Sequence, residues 1–298
     1  MSNNVVTQLA PTGTLRAAIN LANFLLVSSR ADNGDPQGVA PDLAAAIADS
    51  LGVGVSYVPF ERPGPLADAA VEGVWDIGLI AAEPARAELI EFTDPYVEIE
   101  ATYLVPGYSD IQTIAEVDQP GVRIAIAARS AYDLYLSRNL QHAELVRAEG
   151  IEGSFDLFVG EGLDVLAGLR PRLLTDVTQI ENARILDGRF TAVQQAVGTP
   201  SGRNESAAYL RDFVVEAKSS GLVAELIARH QVDGLSVASC PSVTGEADFR
   251  SGLYIGDSGT LLRPGCVSID KKSGATSIGY TAYVDLVVLY LVCETAIT

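Results

Sequence analysis

The sequence predicts an α/β fold of two lobes joined by two crossing strands. The chain has 298 residues, enough for two lobes, and 48% of them are hydrophobic, so it can build sizeable cores. Apolar strand patterns alternate with helical patterns as far as residue 188, which favours parallel strands joined by helical crossovers. Extended segments at 101–106 and 191–198 lead from one alternating region to the other and back. Two such crossings make a hinge around a cleft.

The predicted first lobe takes residues 1–106 plus 196–238. Its clearest helix is marked by Pro41 and Asp42 at the start and by Gly52 at the end. Its strands are predicted near 15–21, 53–60 and 76–82, and its helices near 41–51 and 64–73 and within 205–230.

The predicted second lobe takes residues 107–195 and repeats the same alternation. Its strands are predicted at 123–128, 143–149, 164–169 and 183–188, and its helices at 130–140, 154–160 and 173–180. The chain then returns to the first lobe through the segment 191–198.

Charge and histidine content exclude several kinds of partner. With 20 basic and 38 acidic residues the net charge is −18, so the electrostatic field repels nucleic acid and anionic membranes. The two histidines, His142 and His230, lie far apart and without metal-ligand spacing. We therefore expect no nucleic-acid binding, no metal site and no cofactor, in a protein that acts as a monomer.

Residues 239–298 form a carboxyl-terminal extension whose role the sequence does not assign. The composition shifts after Ala238, and all three cysteines (Cys240, Cys266, Cys293) lie in this segment. An odd number of cysteines without motif spacing predicts neither a zinc site nor a complete disulfide framework. The apolar run near the end is too short to span a bilayer and is interrupted by Asp285, so a membrane anchor is not expected.

Arg86 is the strongest candidate for a ligand-binding residue. It follows the apolar strand 76–82 and Pro84, and so stands at the carboxyl end of a predicted strand. Ligands bind at this edge of open α/β sheets, and the planar guanidinium fork suits a carboxylate. A surface ion pair with Glu83 or Glu88 is the alternative interpretation.

The motif Pro84-Ala85-Arg86, followed by Thr93-Asp94-Pro95-Tyr96, resembles the first-lobe signature of the family 3 bacterial extracellular solute-binding proteins. These are the receptors of polar amino-acid ABC importers. Segments 15–20, 37–52, 73–76 and 121–136 also follow the order of that family, and the resemblance runs from about residue 8 to about residue 238. It implies a periplasmic-binding-protein type II fold and binding of a small carboxylate-bearing solute, an organic acid or an amino acid, for an ABC permease.

The resemblance also implies a set of site residues. Arg86 matches the family arginine that holds the ligand carboxylate, and Ser130 with the amide of Ala131 would meet the same carboxylate at a helix amino terminus. Phe24 stands where the family places an aromatic wall. A plain helix cap is the alternative for Ser130, and core packing is the alternative for Phe24.

Other positions depart from the family pattern. Leu169 occupies the slot of the aspartate that holds the ligand ammonium, and Ala81 replaces a small polar residue. Arg129 replaces a glycine, and with Arg170 it would add positive charge to the cleft unless both point to solvent. A buried ammonium without a counter-charge is unfavourable by several kcal/mol. We therefore expect an anionic organic acid, or an amino acid held in another pose.

Two further functions remain open at the sequence level. A few members of the family are dehydratases, which need a general acid, and Glu161 and Asp164 are the nearest carboxylates in the second lobe. The resemblance implies a periplasmic location, yet residues 1–11 have no basic start, apolar core or lipoprotein cysteine. This leaves a trimmed start or a cytoplasmic sensor or scavenger as alternatives. We expect a binding protein and not an enzyme.

Overall fold

The computed structural model describes residues 3–239 and two short strands at 254–255 and 261–262. The chain divides into two compact units, residues 1–238 and residues 239–298. The cysteines and the apolar run 279–298 lie outside the described residues.

The described strands and helices alternate for most of the first unit. The strands are β1 (Thr14–Asn20), β2 (Ser29–Arg30), β3 (Pro36–Gln37), β4 (Gly54–Phe60), β5 (Ile77–Ala81), β6 (Ile90–Phe92), β7 (Val97–Val105), β8 (Arg123–Ala127), β9 (Glu144–Ala148), β10 (Val165–Leu169), β11 (Arg184–Ile185), β12 (Thr191–Pro200), β13 (Ser236–Val237), β14 (Tyr254–Ile255) and β15 (Leu261–Leu262). The α-helices are α1 (Asn3–Leu9), α2 (Val39–Leu51), α3 (Pro63–Asp68), α4 (Pro84–Ala87), α5 (Ala131–Asn139), α6 (Gly150–Gly160), α7 (Arg170–Asp176), α8 (Asn204–Ser219) and α9 (Leu222–Arg229).

The main sheet runs in the order β4-β1-β5-β12-β7-β10-β8-β9. The three strands at each end of this order are parallel, and β12 and β7 between them are antiparallel to each other and to their outer neighbours. The first lobe is built on β4, β1 and β5, and the second lobe on β10, β8 and β9. Strands β7 and β12 join the two lobes, so the predicted pair of crossing strands is confirmed.

Helix α2 illustrates how the sequence builds these lobes. Its residues Val39, Leu43, Ile47 and Leu51 are all buried, and their spacing of four places them on one face, which packs on β1 and β4. The helix ends at Gly52, which adopts a left-handed conformation with φ 70°. Apolar cores of this kind fill both lobes on either side of the sheet.

The predicted order of elements matches the structure, and the differences concern short segments. Helices α1 and α4 and the short strands β2, β3, β6 and β13 were not expected. Helix α6 begins at Gly150, four residues before its predicted start, while the predicted strand at 183–188 shortens to β11.

Asp76, immediately before β5, is fully buried and binds two arginines from other parts of the first lobe. Its carboxylate accepts hydrogen bonds from the backbone N–H and side chain of Arg16, with Nε at 2.9 Å and Nη2 at 2.8 Å. Arg203, just before α8, donates from Nη1 at 3.3 Å. Asp76 therefore fastens β1 and α8 to the strand that leads to Arg86.

We expect Asp76→Asn to destabilise the protein by about 3 kcal/mol, because it leaves two arginines without their buried counter-charge. For a unit of this size that corresponds to a fall in melting temperature of about 6–12 °C. Thermal melting of parent and variant measures it, with Glu161→Gln at an exposed carboxylate as the control. A fall no larger than that of the control would contradict this role for Asp76.

Candidate functional site

A cavity of about 60 Å³ lies between the two lobes, where strands of both lobes end. Small and apolar side chains form most of its wall, and its polar residues are three with amide side chains, two with hydroxyl groups and two arginines. The lining residues are Asn20, Ala22, Asn23, Arg62, Pro63, Ala81, Arg86, Ala127, Ala128, Ser130, Ala131, Tyr132, Gly150, Ile151, Leu169, Val193 and Gln195.

Arg86, in the short helix α4, lies at this cavity with only 5% of its surface exposed. Its Nη1 donates to the carbonyl of Ala81 at 2.8 Å, and its Nη2 donates to the carbonyl of Arg129 at 3.0 Å. Within the described residues it forms no ion pair, since Glu83 binds Arg138 instead. The surface-pair interpretation of Arg86 is therefore wrong.

Burial lowers the pKa of Arg86 without removing its charge. Desolvation lowers the pKa of its guanidinium to about 10; nearby Glu83 opposes this shift and Arg129 adds to it. The side chain is still protonated at neutral pH. A buried cation that donates only to carbonyl oxygens at the edge of a cavity is suited to bind an anion.

The amino terminus of α5 forms the opposite wall. The Oγ of Ser130 accepts the backbone N–H of Asp133 at 3.0 Å, so this residue caps the helix and lines the cavity at the same time. Ala131 also lines the cavity as the first residue of α5. The first N–H groups of a helix have no intrahelical acceptor and carry the positive end of the helix dipole, so they favour an anion.

Two apolar residues of the prediction also lie at the cavity. Leu169, the last residue of β10, and Ala81, the last residue of β5, are buried and line it. Among the residues that the structure describes, no aspartate, glutamate or histidine lines this cavity. Glu161 is exposed after α6, and Asp164 accepts the backbone N–H of Arg123 at 2.8 Å.

The structure corrects the prediction at Phe24. Its side chain is 39% exposed and does not line the cavity, whereas its neighbours Ala22 and Asn23 do. The Oδ1 of Asn23 accepts the backbone N–H of Leu25 at 3.3 Å, a local turn that leaves Asn23 buried and Phe24 outside.

The structure also corrects the prediction that the guanidinium groups of Arg129 and Arg170 enter the cavity. The guanidinium of Arg129 binds both carboxylate oxygens of Asp68, at 2.9 and 2.6 Å, and only its carbonyl reaches Arg86. Arg170 donates from Nε to Glu100 at 2.7 Å and from Nη2 to the carbonyl of Gly188. Each arginine has an acidic neighbour in the folded chain that the linear sequence does not reveal.

Five cavity residues with polar side chains were not predicted, namely Asn20, Asn23, Arg62, Tyr132 and Gln195. Gln195 lies on the predicted return strand directly after Gln194, and the sequence does not indicate which of these two amides lines the cavity. Asn23 and Arg62 lie in loops, where the sequence has no periodicity to indicate which side chains turn inward.

Three ion pairs join the lobes around the cavity, and we call them the interlobe clasp. They are Asp68–Arg129 at 2.6 Å, Glu83–Arg138 at 2.6 Å and Arg62–Glu149 at 2.9 Å. Most of these side chains are substantially exposed, so each pair contributes less than about 1 kcal/mol. A second cavity of about 90 Å³, lined in part by Asp68, Arg129 and Leu89, lies beside the clasp, so the lobes meet there without close apolar packing.

The family model for bacterial extracellular solute-binding proteins, family 3, matches residues 20–232. The chain belongs to this family. The predicted periplasmic-binding-protein type II fold is thereby confirmed, in a family that its description places outside the cell. None of the described helices is long and apolar enough to cross a membrane.

Known relatives of this family 3 protein include binding proteins and an enzyme. The chain is 24% identical over 192 residues to cyclohexadienyl dehydratase of Pseudomonas aeruginosa, covering 60% of this chain and 70% of that one. A solved structure of the ancestral amino acid-binding protein AncCDT-1, a precursor of cyclohexadienyl dehydratase, superposes with a TM-score of 0.60 at 23% identity, covering 75% of this chain and 98% of that one. A putative ABC-transporter binding component of Wolinella succinogenes, complexed with lysine, gives 0.60 at 20% identity, with coverage of 73% and 95%. At these identities the likeness establishes the fold alone.

We expect Arg86→Ala to weaken binding of any carboxylate ligand by at least tenfold, since a charge-assisted contact contributes about 1.5–3 kcal/mol. Calorimetric titration with short carboxylates measures the change. Arg211→Ala, at an exposed arginine of α8, is the control. Equal affinities for the parent and Arg86→Ala would contradict the assignment of Arg86 to the binding site.

The clasp pair Asp68–Arg129 should respond to acid. The hydrogen bond from Arg129 holds the pKa of Asp68 below its ordinary value, so the pair stabilises the closed protein fully at pH values above the ordinary value. That stabilisation is lost as the pH falls through the lowered pKa. We therefore expect the small difference in melting temperature between parent and Asp68→Asn to be constant near neutrality, to shrink as the pH falls below about 4, and to vanish only below the lowered pKa of Asp68. A difference that grows on acidification would contradict this sign.

Proposed function

We propose that this protein captures a small monocarboxylate between its lobes as the substrate-binding component of an ABC importer. The observation that carries the proposal is Arg86, a buried cation without a carboxylate partner in the described chain, at a cavity that no described acidic side chain lines. A ligand carboxylate supplies the missing counter-charge and accepts the remaining N–H groups of Arg86.

The charges around the cavity favour a ligand with a single negative charge. Two arginines line it, but Arg62 already pairs with Glu149 of the second lobe. Only the charge of Arg86 is then left without a partner. A monoanion balances it, whereas a second carboxylate would have to displace Glu149 from Arg62.

An α-ammonium group is disfavoured in the same place. The apolar side chain of Leu169 occupies the wall where the family resemblance places an aspartate, and Arg86 would repel a second cation. Size argues in the same direction: a cavity of about 60 Å³ is well below the roughly 150 Å³ that holds benzene in an engineered protein core. Long amino acids, such as the lysine bound by the Wolinella protein, would require a larger cavity between the lobes.

The role in import and the periplasmic location rest on membership of the family. A sensor or scavenger that uses the same trap without a transporter is the alternative. Genes for a permease and an ATPase beside this one would favour import, and their absence would favour the sensor.

A dehydratase is the second candidate, favoured by the similarity to cyclohexadienyl dehydratase. Loss of water from a substrate needs a general acid near the leaving group. Glu161 and Asp164 do not line the cavity, and its described wall offers arginine, tyrosine, serine and amide groups instead. This wall supports binding over dehydration.

Native mass spectrometry of the purified protein tests the proposed ligand class directly, because closed traps of this kind can retain their ligand. We expect a small organic acid. A retained standard amino acid would contradict the proposal.

We expect Leu169→Asp to shift preference toward α-amino acids. The new carboxylate supplies a counter-charge for the ammonium but must itself be desolvated, so the gain is about 1–2 kcal/mol. A thermal-shift screen of amino acids against their deaminated counterparts measures it. Leu174→Asp, at an exposed position of α7, is the matched control. If the parent protein already binds an α-amino acid tenfold more tightly than its deaminated counterpart, the inference that the site lacks a group for the ammonium is wrong.

A further inference from the structure

Gln195 on β12 carries a side-chain amide for which the described residues provide no hydrogen-bond partner. Only 4% of its surface is exposed, and it lines the cavity between the lobes. Its backbone carbonyl accepts the N–H of Tyr96 at 2.9 Å, but its side-chain amide forms no hydrogen bond with the residues that the structure describes. The fully buried side-chain atoms without a partner in the described chain belong to Glu91 and Tyr96, so the amide of Gln195 is open to the cavity, where a bound molecule or water can satisfy it.

The strand register places Gln195 beside Ala81, the residue whose carbonyl binds Arg86. Gln195 is directly opposite Ala81 in the antiparallel pair of β12 and β5, and the Ala81 carbonyl accepts Nη1 of Arg86 at 2.8 Å. The side chains of directly opposite residues begin only about 5 Å apart on the same face of the sheet. When Arg86 holds a carboxylate, the atoms joined to that carboxylate therefore lie within reach of Gln195.

The charges and hydrogen-bonding groups beside Arg86 determine which ligand group Gln195 can bind. A cationic substituent is repelled by Arg86, and a second carboxylate finds no further unpaired arginine. A hydroxyl or oxo group is neutral, and the amide can both donate to it and accept from it. The nearby amide of Asn23 also lines the cavity and adds a second neutral polar group.

We propose that Gln195 is a specificity-determining residue that hydrogen-bonds a hydroxyl or oxo group on the carbon next to the ligand carboxylate. The ligand class is then a short 2-hydroxy or 2-oxo monocarboxylate. This inference rests on the proposed carboxylate-binding function and specifies its substrate.

Four three-carbon acids test the proposal because they differ only at the second carbon: propanoate, 2-hydroxypropanoate, 2-oxopropanoate and alanine. Isothermal titration calorimetry of the full chain at fixed ionic strength measures each affinity. We expect the hydroxy or the oxo acid to bind at least tenfold tighter than propanoate, and alanine to bind no tighter than propanoate.

Gln195→Met keeps the length of the side chain and removes its hydrogen-bonding groups. It should abolish the preference for the hydroxy or oxo acid while leaving propanoate within about threefold of the parent. Gln195→Leu provides a second apolar variant if the first does not fold. Gln194→Met is the matched control, because the amide of Gln194 on the same strand donates to Glu98 and to the carbonyl of Ala192 and does not line the cavity.

The outcomes separate this inference from the function on which it rests. If acids bind in an Arg86-dependent manner but propanoate binds as tightly as its hydroxy and oxo derivatives, only the assignment of Gln195 is overturned. The same holds if Gln195→Met weakens all four acids equally, because the residue then merely shapes the site. If none of the acids binds, the proposed function and the ligand class both fail.

Discussion

The guanidinium of Arg86 is the point at which the two lobes and the cavity meet. It donates to the carbonyl of Ala81 in the first lobe at 2.8 Å and to the carbonyl of Arg129 in the second at 3.0 Å. A buried cation held only by neutral oxygens keeps much of its electrostatic potential, because no carboxylate of the described residues forms an ion pair with it, although Glu83 is near enough to favour its charged form. The same residue thus attracts an anion and links the two lobes. Its hydrogen bond to Arg129 can form only when the lobes are closed, because that acceptor belongs to the opposite lobe.

The backbone supports this arrangement from both sides. Arg129 adopts a left-handed conformation with φ 58°, which is unfavourable for a residue with a side chain, and it is held there by several contacts. Its N–H donates to Asp133 at 2.7 Å and its guanidinium binds Asp68. On the other side, β12 continues from the hinge into the first lobe and carries Gln195 to the cavity beside Ala81. Hinge and binding site therefore share the same strand.

The sequence was sufficient to predict the order of the strands and helices and the position of Arg86. The order of strands and helices can be predicted because alternating apolar patterns are local features of the sequence. Arg86, Ser130 and Leu169 could be placed because each stands where a predicted strand or helix begins or ends. Prediction failed where a side chain's direction depends on distant partners. Arg129 turns to Asp68, Arg170 turns to Glu100, and the turn at Asn23 excludes Phe24 from the cavity. Gln195 was missed because the environment of each of the two adjacent glutamines, Gln194 and Gln195, depends on the strands that flank β12.

The exposed charges of the interlobe clasp have a consequence for how fast a solute is captured. Because the clasp consists of partly exposed ion pairs beside a cavity of about 90 Å³, dissolved salt screens it far more than it affects the buried contacts of Arg86. The fraction of open molecules should then rise with ionic strength, and only an open molecule can admit a solute. Moderate salt would speed entry and also shorten the residence time, so that salt tunes the kinetics of the trap while the chemistry of its site stays fixed.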